Sequence, residues 1–244
     1  FAHYDLSDNV TAYTEFAYYH SEVDMQLAES NLSTTLAIDV DNPYVSSEVQ
    51  EVFHQLDLLE TGSGHDDGLV NLRIARRFQE FGARQALVTR DTYRIGGGLR
   101  GSLPDVGDDF LRDNHFDISY FYSQADSVTE LNNLVSLSKL KAGVLSVNGA
   151  APLVNLFGAG GISAEAVSQL TIDTSNPSTS RQHIASANFS TTVTSLPAGP
   201  LGAALGFEWR SAYARSLPDD ALASGDGVGF DSFLATEGDV NVYE

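Results

Sequence analysis

The chain has 244 residues, with 33 acidic against 13 basic side chains, 42% hydrophobic residues and no cysteine. The acidic excess excludes nucleic acid as a partner because its phosphates would be repelled, and the lack of cysteine excludes disulfides and thiolate metal sites. No apolar run reaches the roughly 18 residues of a transmembrane helix, and no basic and apolar signal peptide opens at Phe1.

The predicted elements are strands in which apolar residues alternate with polar residues or glycine. In chain order they are 10–22 after a turn at 5–9, 88–103, 116–125, a hairpin at 183–213 and a last strand beginning near Thr236. Long connections, to about residue 87 and about residue 180, alternate with shorter turns. This alternation is typical of outer-membrane barrels, which have long outer loops and short periplasmic turns.

The hairpin at 183–213 shows the alternation most clearly. One face of its second strand holds Leu201, Ala203, Leu205, Phe207, Trp209 and Tyr213, and the other holds Gly202, Ala204, Gly206, Glu208 and Arg210. Each strand has the roughly ten residues that cross a bilayer in a barrel. We expect strand pairing to stop at Pro197 and Pro200, because proline cannot donate to a neighbouring strand, and we expect this turn to be periplasmic.

The long connections contain acidic clusters and some regular structure. A capping box from Ser47 to Gln50 predicts a helix over 47–56 with Val49, Val52, Phe53 and Leu56 on one face. A second helix is predicted after Ser163, and a further strand around residues 70–74, extending beyond the membrane.

Motifs for catalysis or cofactor binding are weak. Residues 96–101 match G-x-G-x-x-G, but Pro104 follows and no helix opens, so we interpret the glycines as leaving room on the polar face. The six histidines are scattered and no nucleophile elbow or H-E-x-x-H is present. The sequence therefore predicts no enzyme, no catalytic residue, no cofactor and no metal ligand. Asp39, Asp41 and residues 64–68 offer oxygen ligands of the kind calcium takes, for which solvated acidic loops are the alternative.

Short motifs spread along the chain resemble the barrel of TonB-dependent outer-membrane receptors. The motifs are Tyr13-Thr14-Glu15, Arg76-Arg77 with Glu80, Gly82 and Arg84, Thr92-Tyr93-Arg94, Gly98-Leu99-Arg100-Gly101, Asn155-Leu156-Phe157-Gly158, Gly160-Gly161-Ile162-Ser163-Ala164-Glu165-Ala166-Val167, Leu196-Pro197-Ala198-Gly199-Pro200-Leu201-Gly202 and Leu205-Gly206-Phe207-Glu208-Trp209-Arg210. They lie in the expected order and cover nearly the whole chain.

The resemblance implies an all-β fold, an antiparallel transmembrane segment of a 22-stranded barrel whose long extracellular loops contain short helices. It implies TonB-energised uptake of a scarce or bulky solute across the bacterial cell outer membrane. The partners would be an imported small-molecule or oligomeric solute, outer-membrane lipid and the TonB complex. The plug domain and TonB box of such receptors are missing, so we expect residues 1–244 to be a partial barrel domain, an internal piece of a larger receptor. The solute itself cannot be named, because selectivity lies in loops and plug.

The alternation assigns two sets of candidate residues. Glu15, Arg94, Arg100, Glu208 and Arg210 lie opposite the apolar face and are predicted to point into the lumen, where they either pair across strands or contact solute or plug. Tyr120, Tyr122, Trp209 and Tyr213 are predicted aromatic residues of the membrane interface.

A second hypothesis of another class is a secreted or surface acidic β-rich module that binds calcium or carbohydrate. The two hypotheses differ in what the face of Leu201, Leu205, Phe207 and Trp209 meets. In a membrane barrel this face meets lipid, whereas in a soluble sandwich it packs against a second sheet.

Overall fold

The computed structural model describes residues 1–107, 110–158 and 160–244. The fold is antiparallel β, with 59% of residues in strands and 15% in helices, which confirms the all-β prediction. The strands are β1 (Ala2–Ser7), β2 (Val10–Leu27), β3 (Asn31–Asp39), β4 (Leu69–Arg77), β5 (Arg84–Leu103), β6 (Arg112–Val135), β7 (Thr171–Leu196), β8 (Gly199–Ser216) and β9 (Thr236–Tyr243). The α-helices are α1 (Ser47–Asp57), α2 (Leu137–Gly143), α3 (Ala164–Leu170) and α4 (Asp220–Ser224), and single 3-10 turns span Gly62–Gly64 and Gln79–Phe81.

Seven strands form one antiparallel sheet in the order β1, β2, β5, β6, β7, β8, β9, and β3 pairs only with β4. Neither sheet closes into a barrel. The turns β1–β2, β5–β6 and β7–β8 lie at one end of the large sheet, and the long connections 28–83, 136–170 and 217–235 lie at the other. We call these three long connections together the cap.

The strands run much farther toward the cap than the sequence predicts. The β6 strand has 24 residues and β7 has 26, so β7 is about 85 Å long at a rise of about 3.3 Å per residue. The added part of β7, Thr171–Gln182, is rich in Ser and Thr and carries no apolar alternation. Its backbone nevertheless pairs with β6 up to Thr171. The sequence pattern therefore identifies only the segment of each strand that has an apolar face.

The predicted stop of strand pairing is confirmed at Pro197 and wrong at Pro200. Pairing continues through Ser195 with Pro200 and Leu196 with Gly199, which leaves only Pro197 and Ala198 in the loop. A strand residue donates to one neighbour only, and the hydrogen bonds between β8 and the last strand begin at Glu208. The missing N–H of Pro200 therefore costs no strand-pairing hydrogen bond at this end of β8.

The apolar core of the molecule lies in the cap. It consists of Leu32, Leu36, Ile38, Val40, Phe53, Val70, Phe78, Phe81, Val135, Leu140, Val144, Val154, Leu156, Ile162, Ala166, Leu170 and Val228. Of these only Val135 belongs to a strand of the large sheet, and it is the last residue of β6. The predicted strand around residues 70–74 is confirmed, and its inward side chains pack in this core.

The predicted helix over 47–56 forms as Ser47–Asp57, but two details of the prediction are wrong. Its N-cap is Ser46 rather than Ser47, and no side chain caps it. Of the four apolar residues predicted to share one face of this helix, Phe53 is buried, and Val49, Val52 and Leu56 are exposed. The buried Asp57 carboxylate accepts hydrogen bonds from the backbone N–H groups of Asp67 and Gly68. The side of α1 that holds Phe53 and Asp57 therefore attaches the helix to the rest of the cap.

Among the described residues, no helix is long and apolar enough to cross a membrane.

Candidate functional site

One face of the large sheet is apolar and uncovered. The strand register places Ala12, Leu99, Ile118, Ala187 and Phe207 in one row across five strands. The large exposed side chains of this face are Tyr4, Phe16, Tyr18, Ile95, Leu99, Leu103, Ile118, Tyr120, Leu201, Leu205, Phe207 and Tyr243. Leu205 is 75% exposed. Contiguous apolar patches of this extent are rare on soluble monomers.

The apolar band covers the half of β5 that lies nearer the short turns. It runs along β5 from Leu103 to Tyr93, ten residue steps or about 33 Å of strand. At the strand tilt of about 40° that transmembrane barrels show, this length spans about 25 Å. Polar side chains replace apolar ones beyond Tyr93, so the band ends there.

An aromatic cluster lies at the edge of the band nearer the cap. The Tyr120 hydroxyl lies 2.7 Å from His183 Nδ1, and the His183 ring lies 4.8 Å from Tyr122 and 6.4 Å from Trp209, centroid to centroid. The structure thus brings together three of the four predicted interface aromatics, with His183 among them. The fourth, Tyr213, lies nearer the cap. It is two residues beyond Ser211, which pairs with His183, and its hydroxyl donates to Glu237 over 3.0 Å.

On the cap side of the aromatic cluster the same face of the sheet becomes polar. Tyr18 donates to Asp91 over 2.6 Å, and His20 lies 2.8 Å from the same carboxylate oxygen. Between β7 and β6, the Thr179 hydroxyl donates to Asp126 over 2.7 Å. Carboxylates on an exposed surface need water, so the aromatic cluster separates an apolar zone from a wet one.

The five residues predicted to face the lumen all lie on the opposite face, in two separate groups. On β2 and β5, Arg94 lies 3.8 Å from Glu15 and over the Phe121 ring at 4.4 Å. Arg100 lies 5.6 Å from the centroid of the Tyr13 ring. On β8, Arg210 and Glu208 pair with each other at 2.6 Å. The two groups are three strands apart and do not converge on one site.

Further polar contacts cross this face that the sequence pattern does not predict. The Tyr13 hydroxyl donates to Asp117 over 3.0 Å, from β2 across β5 to β6. Ser119 and Ser186 hydroxyls lie 2.8 Å apart between β6 and β7. Alternation places these side chains on one face, but only the register shows which of them meet.

Two glycines on this face, Gly96 and Gly98, lie against aromatic side chains, not open as the sequence suggested. A Cβ on Gly96 would lie 2.3 Å from the Phe121 ring, and one on Gly98 would lie 2.3 Å from the Ile118 carbonyl oxygen and 2.7 Å from the Tyr13 hydroxyl. Rings that lie over strand glycines pin the register and allow the sheet to bend.

Two depressions of the sheet lie on this polar face. A depression of about 690 Å³ near the short turns is lined by Thr11, Arg100, Asp117 and Asn188 among others. A second, of about 560 Å³, is lined by small polar residues such as Thr92, Ser123 and Ser180. The apolar face has a smaller depression of about 400 Å³, around Ala185 and Ala187.

The acidic loops that suggested calcium do not gather at one point. Within residues 1–107, 110–158 and 160–244, no three His, Asp or Glu side chains are grouped where they could hold a metal ion. Asp39 instead accepts the backbone N–H of Ser146 over 2.5 Å, and Asp41 lies 2.9 Å from His54. These carboxylates tie cap segments together.

Comparison of the chain with protein-family models, curated proteins and solved structures finds no match in any of the three. The functional assignment consequently depends on the geometry of the two faces.

Proposed function

We propose that this chain is part of the barrel wall of a TonB-dependent outer-membrane receptor, which takes up a scarce or bulky solute with energy from the TonB complex. The observation that carries the proposal is the exposed apolar face of the large sheet, which ends at an aromatic cluster. Such a face is favourable only where it meets lipid or another apolar surface.

The placement of the buried core supports the same proposal. In a soluble sandwich the inner face of a sheet packs on a second sheet about 10 Å away. Here, no described element covers the face of Leu205 and Phe207, and the buried core lies beyond the strand ends in the cap. A sheet stabilised in this way suits a wall between lipid and lumen.

The polar face suits the lumen of a barrel. It carries small residues, two glycines that lie against aromatic side chains, and charged side chains that form ion pairs within the chain. We infer that Glu15, Arg94, Glu208 and Arg210 brace the wall, because each has its opposite charge within 4 Å on the same chain. Solute selectivity would then depend on the cap and on the rest of the receptor.

The absence of native cysteine allows a direct test by single-cysteine labelling. Ile118→Cys and Ser119→Cys are neighbours on opposite faces, in the middle of the band. Each variant is labelled with an environment-sensitive fluorophore in outer-membrane lipid, and then exposed to a lipid-borne quencher or to aqueous iodide. We expect the lipid quencher to act on the label at 118 and not on the label at 119.

Leu59→Cys in the cap is the control for a water-exposed apolar position, since Leu59 is 76% exposed. Its label should respond to iodide alone. A label at 118 that responds to iodide as the Leu59→Cys label does, with no lipid quenching, would falsify the membrane-wall assignment.

A further inference from the structure

The α1 helix presents a solvent-exposed apolar stripe. The stripe consists of Val49, Val52, Leu56 and Leu59, which all count among the exposed large hydrophobic residues. Their spacing of three and four residues places them on one side of the helix and its continuation. The helix is held to the cap through Phe53 and Asp57 instead.

The stripe lies in an acidic part of the sequence. The first 72 residues contain 14 of the chain's 33 acidic side chains and none of its 13 Lys and Arg residues. Glu48 and Glu51 flank the stripe on α1 itself and are exposed. A hydrogen bond from the Ser46 hydroxyl holds the pKa of Glu48 below its ordinary value, so this carboxylate is charged at neutral pH.

Of the three basic residues nearest in sequence, Arg76 lies on the inner face of β4, where it is largely buried and pairs with Glu80, and the other two point outward. Arg73 and Arg77 alternate with the inward residues of β4 and are exposed on the outer face of the β3–β4 hairpin. Phe53 and Val70 share the core on the inner face, so α1 and these arginines lie on opposite sides of the hairpin.

We propose that this α1 stripe is the docking surface for a cationic amphipathic polypeptide segment, whose apolar side chains cover Val52 and Leu59 while its Lys or Arg side chains meet Glu48 and Glu51. An amphipathic helix laid on an apolar stripe is a common recognition mode, and charge complementarity selects a basic partner. A second copy of the chain would bring the same glutamates face to face, which is repulsive. Docking at the cap does not depend on what the sheet's apolar face meets.

The test uses the whole chain in zwitterionic lipid nanodiscs and two fluorescent helical peptides with the same leucine spacing, one bearing lysines and one bearing glutamates. We expect the lysine peptide to bind with an affinity that falls as salt rises, because screening weakens the charge contacts. Val52→Ser/Leu59→Ser should weaken binding by roughly tenfold, as loss of interface anchors does. Glu48→Gln/Glu51→Gln should weaken it severalfold and reduce the salt dependence.

Two matched variants control for general attraction to an acidic protein. Phe233→Ser/Leu234→Ser removes two exposed apolar side chains elsewhere in the cap, and Glu22→Gln/Asp24→Asn removes two exposed charges on β2. Both should bind the lysine peptide as the unchanged chain does. Equal weakening by these controls, equal binding of the glutamate peptide, or a dimer that Val52→Ser/Leu59→Ser dissociates would each overturn the proposal.

Discussion

The large sheet and the cap place their apolar side chains in opposite ways. In the cap, segments from three long connections enclose side chains such as Phe78 and Leu36, both essentially removed from solvent. In the sheet, side chains of similar size, such as Phe207 and Leu205, stand on an open face. The cap is thus stabilised by its own buried core, whereas no described part of the chain buries the apolar face of the sheet.

The sharpest test of this contrast removes one aromatic ring from each region. Phe78 is fully buried and meets Phe81 edge to face at 5.6 Å, so Phe78→Ala should destabilise the cap by about 3–5 kcal/mol. Hydrogen exchange of the cap amides would report the loss. In detergent-free buffer, Phe207→Ala should cost far less, because its ring contacts solvent. Similar losses at both positions would show that the sheet has a core of its own.

A charge placed on each face of the sheet measures what that face meets. Ile118→Arg puts a cation in the middle of the apolar band and should cost about 2–4 kcal/mol in a bilayer. Ser119→Arg, its neighbour on the polar face, should cost well under that amount. Urea titration of both variants in lipid vesicles gives the two values, and equal costs would contradict different surroundings for the two faces.

The cap also contains a pH-dependent hydrogen-bonded contact between two of its segments. Asp226 accepts hydrogen bonds from the Ser136 hydroxyl and the Ser138 backbone N–H over 2.5 and 2.7 Å. Partial burial acts to raise the pKa of Asp226, but these bonds and the Lys139 charge outweigh it and lower the pKa. Because the pKa is depressed in the folded state, the carboxylate stabilises the cap above its unfolded pKa of about 3.9 and loses that contribution as pH falls through the folded value.

Asp226→Asn should therefore destabilise the connection between α2 and α4 by about 1 kcal/mol at neutral pH and by less near pH 3. Proteolysis of the 217–235 segment, measured at both pH values, would show the change. A pH-independent cost would indicate that the side chain acts only by its shape.

The smallest expected effect concerns the polar face. Arg94→Ala removes an exposed ion pair with Glu15 and a contact with the Phe121 ring, together worth about 0.5–1 kcal/mol. If Arg94 only braces the wall, stability falls slightly and the solute uptake proposed above is unchanged. Loss of uptake with normal stability would assign Arg94 to solute or plug contact instead.

The sequence predicts the sheet better than it predicts the cap. Period-two alternation locates the apolar segments and the faces of Glu15 and Arg94 correctly, because side-chain direction in a strand follows directly from position. It does not predict the polar continuation of β7 or the contact of Tyr13 with Asp117, because both depend on register. The β3 strand and the α2 and α4 helices were missed, although Ser136 and Asp219 cap the two helices and offered a local signal.

The segmented origin of the cap core links it to the register of the large sheet. Its side chains come from connections separated by complete strands, so the core is complete only where β5, β6, β7 and β8 hold these connections at one end of the sheet. A one-residue slip in any of these strands would turn its side chains to the wrong face and displace a cap segment with it. We expect a sheet that has paired incorrectly to leave Phe78 and its neighbours less buried and open to proteases.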